Sequence, residues 1–163
     1  MINTLLRLWR VMPLWVHLLA SRIVRPRFRV AVAAMIFDEQ GRVLLFKHTY
    51  RIFEWGIPAG GLEHGEQPEK AIVREFYEET GMQIEAQKLF LAQSAKEEPN
   101  VSLIYLCKIV SGTFKESLEI SEMKYFDVND LPHMLFAEKN LIHVVAKSLD
   151  TRNAGFNPQC KAD

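Results

Sequence analysis

The chain has 163 residues, 48% of them apolar and 25% charged, which is enough apolar material for one self-supporting domain. That composition excludes a disordered chain, a collagen-like chain and a repeat array. Lysine plus arginine and aspartate plus glutamate both number 20, so the formal net charge is zero, and no excess of base points to general nucleic-acid binding.

The zero total conceals a split. Residues 1–37 carry Arg7, Arg10, Arg22, Arg25, Arg27 and Arg29 and no acidic residue, so this stretch is +6 and the remainder is −6. Within residues 1–27 the longest run free of formal charge, Val11–Ser21, contains Pro13 and His17 and falls short of the ~20 apolar residues a membrane span needs. Arg7 and Arg10 also interrupt the apolar stretch that a secretory signal would require. On a helical wheel Leu5, Leu8, Trp9, Met12, Trp15, Val16, Leu19 and Ile23 populate one side. Arg7, Arg10, His17, Ser21, Arg22 and Arg25 populate the other, with Val11, Leu14 and Leu18 intruding. Pro13 is expected to kink or split this helix. Three readings are open: packing on the body, contact with a second subunit in a homodimer, and peripheral contact with a membrane.

The body is expected to run from 28 to 150, with 151–163 as a tail. Val30–Phe37 is a β-rich run, Asp38–Gly41 a turn signal and Val43–Phe46 a second strand, so the pair reads as a hairpin. His48–Glu54 reads as a loop, and Trp55–Gly61 carries the loop punctuation of Gly56, Pro58, Gly60 and Gly61. Pro68 opens a helix at its first position, Ala71, Ile72, Phe76 and Tyr77 give it an apolar stripe, and Gly81 closes it. Ile84–Ser94, Val101–Val110 and Met123–Val128 are predicted strands, and Ala137–Leu149 a second amphipathic helix. The class is mixed α and β. Cys107, inside an apolar run, reads as a small core residue. With Cys160 it makes neither a disulfide framework nor a metal site, and a reducing, cytoplasmic setting is the default.

The chemistry concentrates at 60–82, where six glutamates face only Lys70 and Arg74. Glu75, Glu78 and Glu79 share one helical patch about 100° wide. Carboxylates that close repel one another. Arg74 can pair with Glu78, and a hard divalent cation with a preference for oxygen ligands would compensate the rest. An isolated cluster of this kind usually faces water, but the spacing here is constrained well beyond the cluster. Gly60, five residues, Glu66, seven residues, Arg74, Glu75, an apolar residue, any residue, Glu78, Glu79, any residue, Gly81 and an apolar residue all stand in register. At background frequencies a chance match has a probability on the order of 10⁻⁷.

This stretch resembles the signature box of the Nudix hydrolases, complete at every constrained position. The resemblance implies an α+β fold, an α/β/α sandwich with a mixed sheet and a loop–helix–loop catalytic motif. It implies hydrolysis of a nucleoside diphosphate linked to another moiety, dependent on Mg²⁺ or Mn²⁺. By the same resemblance Glu75, Glu78 and Glu79 hold the metal, joined by the backbone carbonyl of Ala59, where many members have glycine. Glu75, then Glu78, is the first choice for activating water, and Arg74 orients the carboxylates. Glu66, Gly60, Gly61 and Gly81 are structural. A further acidic ligand from a later loop is expected among Glu116, Glu119 and Glu122, with Glu119 favoured, or from Glu97 or Glu98. Tyr50, Phe53 and Trp55 are candidates for stacking on a substrate base. The alternatives to an enzyme are a nucleotide sensor that keeps the fold and a scaffold recruited to a membrane by its basic head.

Overall fold

The computed structural model describes residues 10–17, 28–94 and 99–153. The predicted tail, 151–163, begins later than expected, because a helix runs through Asn153; residues from 154 onward, with Cys160, Glu97, Glu98 and most of the N-terminal segment, lie outside the described residues. Within that segment the helix is broken at Met12 and Pro13 and resumes at 14–17, as a proline without an amide hydrogen requires.

Seven strands and two helices make up the rest of the described chain. They are β1 (Arg29–Met35), β2 (Val43–His48), β3 (Trp55–Gly56), β4 (Ala59–Gly61), α1 (Pro68–Thr80), β5 (Gln83–Ser94), β6 (Asn100–Ser111), β7 (Ile120–Phe126) and α2 (Phe136–Asn153). One sheet has the order β4-β1-β6-β5, with β1 parallel to β6 and the other neighbours antiparallel. The second sheet, β3-β2-β7, is antiparallel throughout.

The expected hairpin of β1 and β2 forms only at its turn and does not extend into a ladder. Both edges of β1 are taken, one by β4 and one by β6, so β2 crosses into the other sheet. At the turn the two are tied by the antiparallel bridge between Phe37 and Val43, by the bonds from the Leu44 amide to the Ile36 carbonyl and from the Asp38 amide to the Arg42 carbonyl, and by the Asp38 carboxylate on Arg42. Trp55–Gly61, read as loop, contains β3 and β4, which are too short for a periodic signal. Their pairing is imposed by β2 and β1.

Alternation on the two central strands assembles the layers. Val32 and Ala34 of β1 and Leu44 and Phe46 of β2 lie in one cluster with Ala71, Ile72 and Phe76 of α1. Ala33 and Met35, with Val43 and Leu45, lie in a second cluster with Leu141, Ile142 and Val145 of α2. Successive residues point to opposite faces. A strand covered on both sides therefore reads as a continuous apolar run, which is the pattern of β1. The result is the expected helix–sheet–helix sandwich. Cys107 is buried in the α1 cluster, as expected of a core residue.

Candidate active site

Helix α1 presents the acidic patch because its other face is committed to the core. Ala71, Ile72 and Phe76 are buried, and Phe76 meets Phe46 with ring centroids 5.2 Å apart. Glu78 is exposed, and Glu75 and Glu79 are half-buried at the edge of that buried face. Gly81 ends the helix with φ 70°, and its amide bonds the Tyr77 carbonyl at 2.7 Å, the left-handed cap that glycine adopts without a Cβ penalty.

Arg74 organises the loop before the helix. Its Nε and second terminal nitrogen donate to the two oxygens of Glu66, each at 2.9 Å. The same guanidinium donates to the Gly61 carbonyl at 3.1 Å. It lies 3.0 Å from Glu75 and 3.3 Å from Glu78. A planar fork can serve several acceptors at once in a way an ammonium cannot. The hydrogen bonds from Arg74 hold Glu66 below the usual carboxylate range, and the bond to Glu66, more than any other, holds Arg74 far above its ordinary value.

Glu75 receives the Gly61 amide at 3.1 Å and lies directly over Gly60, where an added Cβ would fall on its carboxylate. Neither glycine has a positive φ, so the tightness of the loop is not what Gly60 supplies. It leaves room for Glu75. Gly61 has nothing near its missing side chain. Ala59 also lacks a positive φ and sits unstrained in β4, opposite Ala33.

Glu75, Glu78 and Glu79 line a cavity of about 350 Å³ together with Ser117, Leu118 and Glu119. Of the three expected later acids, Glu119 is the one at this cavity. Glu122 instead pairs in register with Lys47 on β7. Glu79 is the least compensated of the group. One of its carboxylate oxygens is buried with no hydrogen-bond partner. Burial, then the charges of Glu75 and Glu119, push its carboxyl up to about 7, with Arg51 opposing and Glu78 adding. Among the described residues no three acidic or imidazole groups already close on a single point, because Glu75 and Glu78 are turned to Arg74. The orphaned oxygen of Glu79 and the surplus of carboxylates around it fit a hard divalent cation.

Arg51 and Glu138 were not singled out by the sequence. Arg51, from the loop after β2, reaches Glu138 of α2 at 4.0 Å. Glu138 accepts from the Ile57 amide at 3.4 Å. Burial raises the Glu138 carboxyl, against Arg51 and that amide. Arg51 thus acts on Glu79 of α1 and on Glu138 of α2, the latter 87 residues further along the chain. His48, read as loop, ends β2 and is buried with neither ring nitrogen bonded. Burial and then the Arg51 charge push it down to about 4.

The aromatic candidates separate. Trp55 packs edge-on against Phe126 at 4.7 Å and belongs to the α2 cluster. Phe53 faces the His133 ring at 5.0 Å. Tyr50 is exposed, edge-on to His48 and beneath Arg51.

Comparison with known proteins agrees with this architecture. A family model described as NUDIX domain matches residues 27–146. An ADP-ribose pyrophosphatase of Methanocaldococcus jannaschii is 29% identical over 113 residues, 66% of this chain and 67% of that one. An RNA pyrophosphohydrolase of Saccharophagus degradans is 40% identical, but over 55 residues, 34% of this chain and 32% of its own. The crystal structure of a UDP-X diphosphatase superposes with a TM-score of 0.70 at 20% identity, covering 88% of this chain and 75% of the other. With the family match spanning well over half of its length, the chain belongs to the NUDIX family of hydrolases.

Proposed function

We infer that the protein is a divalent-metal-dependent pyrophosphohydrolase of small nucleoside diphosphate derivatives. The observation that carries this reading is the cavity in which Glu75, Glu78, Glu79 and Glu119 meet, with a buried Glu79 oxygen that has no partner. Glu75, Glu78 and Glu79 would hold Mg²⁺ or Mn²⁺, with Glu119 and the Ala59 carbonyl as further oxygen donors. When bound, the ion lowers the pKa of water and neutralises charge on the phosphates.

Glu75 is the residue best fixed to orient and deprotonate the attacking water, since the Gly61 amide and Arg74 define its position. Glu78 is the next choice. Arg74 touches no reacting atom in this scheme; it holds Glu66, Gly61 and the carboxylates in one frame. Such chemistry depends on positioning and electrostatics and needs no covalent nucleophile.

A small nucleotide substrate is favoured over an RNA end because the similarity to the ADP-ribose pyrophosphatase extends over 66% of the chain. The similarity to the RNA pyrophosphohydrolase spans only 34%. Incubation with ADP-ribose, nucleotide sugars and dinucleoside polyphosphates in Mg²⁺ and in Mn²⁺ tests the reading. Release of nucleoside monophosphate from at least one of them is expected. Silence across the panel in both metals would instead favour a sensor that binds nucleotide without turnover.

A further inference from the structure

None of the described N-terminal residues, 10–17, lines the acidic cavity. Three of their apolar side chains are left uncovered by the body. Val11 is 80% exposed, Leu14 75% and Trp15 66%. Leu14 and Trp15 are consecutive in the helical residues 14–17, just after the break at Pro13. These three side chains therefore do not pack on the body of their own chain. Single exposed apolar residues are ordinary, but a run of large ones marks a contact surface.

The charge around them identifies what that surface meets. Arg7, Arg10, Arg22 and Arg25 flank the exposed residues, the first acidic residue is Asp38, and no lysine occurs before Lys47. Two of the three tryptophans of the chain, Trp9 and Trp15, lie here. Arginine forks bind phosphate oxygens, and tryptophan settles at the boundary between hydrocarbon and water. A nucleic acid would satisfy the arginines and leave Leu14, Trp15 and Val11 exposed. A symmetric contact between two such segments would bring arginine against arginine with no acid to offset it.

We propose that the segment around residues 10–17 docks the protein on an anionic lipid bilayer, with Val11, Leu14 and Trp15 inserted at the interface and the basic charge of the surrounding sequence drawn to the headgroup phosphates. The contact is peripheral. The longest arginine-free run is Val11–Ser21, and among the described residues no helix is long and apolar enough to cross. The body, −6 overall and −4 within 60–82, is repelled by the same surface. The acidic cavity therefore stays in water while the head is held.

Sedimentation of the full chain with phosphatidylcholine vesicles, and with vesicles that also contain phosphatidylglycerol, tests this independently of the hydrolytic reaction. Binding to the anionic vesicles is expected to be at least about tenfold tighter, and to weaken with salt. A Leu14→Ser/Trp15→Ser variant should lose at least about tenfold in binding, with its thermal midpoint unchanged because both side chains are exposed. An Arg22→Glu/Arg25→Glu variant should lose the preference for anionic lipid. Equal binding to both vesicle types, no binding to either, or undiminished binding by the serine variant overturns the proposal. A dimer in analytical ultracentrifugation that the serine variant abolishes, without vesicle binding, overturns it too and assigns the face to a second copy.

Discussion

The carboxylate of Glu75 occupies the space in which a side chain at Gly60 would begin. A Gly60→Ala variant must therefore turn Glu75 away from the Gly61 amide. Because Glu75 is a flexible side chain at the edge of a cavity, the fold should absorb this with little change in thermal midpoint. Displacement of a water-orienting group by about an ångström is worth about 100-fold in rate, and a loss of that order in kcat is expected. Gly61→Ala, with open space at its position, should retain near-normal kcat. Steady-state kinetics of the two variants side by side checks both expectations; equal losses would contradict the steric argument.

Arg74 should not be replaceable by lysine. Its fork reaches both oxygens of Glu66 and the Gly61 carbonyl while the same group touches Glu75 and Glu78. An ammonium keeps the charge and loses the geometry. Arg74→Lys is expected to lower kcat by about tenfold or more with a smaller change in KM, since the frame and not the substrate is disturbed. A lysine variant with wild-type kcat would show that charge alone suffices.

Glu79→Gln should have opposite effects on stability and activity. The carboxyl is raised from 4.5 to about 7 in the fold, so the folded metal-free protein holds a proton that the unfolded chain releases in that window. Stability of the metal-free protein therefore falls as pH rises from about 4.5 through about 7. At pH above this window the glutamine variant, with no charge to bury, should be more stable than wild type by about 1–3 kcal/mol in the absence of divalent ions. Addition of Mg²⁺ should stabilise wild type and not the variant. Thermal unfolding with and without Mg²⁺ reads both effects, and a variant less stable than wild type in chelator contradicts the account.

Much of α1 and the grouping of its glutamates was legible because local signals agree there. Pro68 starts the helix, Gly81 ends it, and Ala71, Ile72 and Phe76 fix the buried face, with the glutamates grouped beside it. Glu119 could be favoured among three acids, but only the fold brings it to the cavity. The pairing of β1 was not legible. Alternation shows that a strand has two faces and says nothing about which strands claim its edges, so a turn at Asp38–Gly41 suggested a hairpin whose ladder β4 and β6 pre-empt. Arg51 and Glu138 were hidden for the same reason. They are far apart in sequence and meet only because α2 packs over the end of β2. Trp55 carried a plausible stacking signal and is committed to Phe126.

His48 gives a pH dependence of its own, opposite in sign to that of Glu79. Its imidazole is buried, unbonded and lowered from 6.5 to about 4. Between those values the unfolded chain binds a proton that the folded protein refuses, so stability is full above about 6.5 and is lost as pH falls toward 4. The contribution is at most about 3 kcal/mol. Urea unfolding of wild type and His48→Gln at several pH values isolates this term from the opposing one of Glu79: wild type minus variant should rise with pH between about 4 and about 6.5, and parallel profiles would remove His48 as a source.

The central claim is that the glutamates of α1 act through a divalent cation bound at Glu79. The most direct test is a Mg²⁺ titration of hydrolysis on the best substrate of the nucleotide panel, comparing wild type with Glu79→Gln. Wild type should be silent in chelator and rise to saturation with Mg²⁺, while the variant should fall by about 1,000-fold or more and need far more Mg²⁺. A wild-type rate that persists in chelator, or a Glu79→Gln variant with an unchanged Mg²⁺ midpoint and rate, would contradict the account.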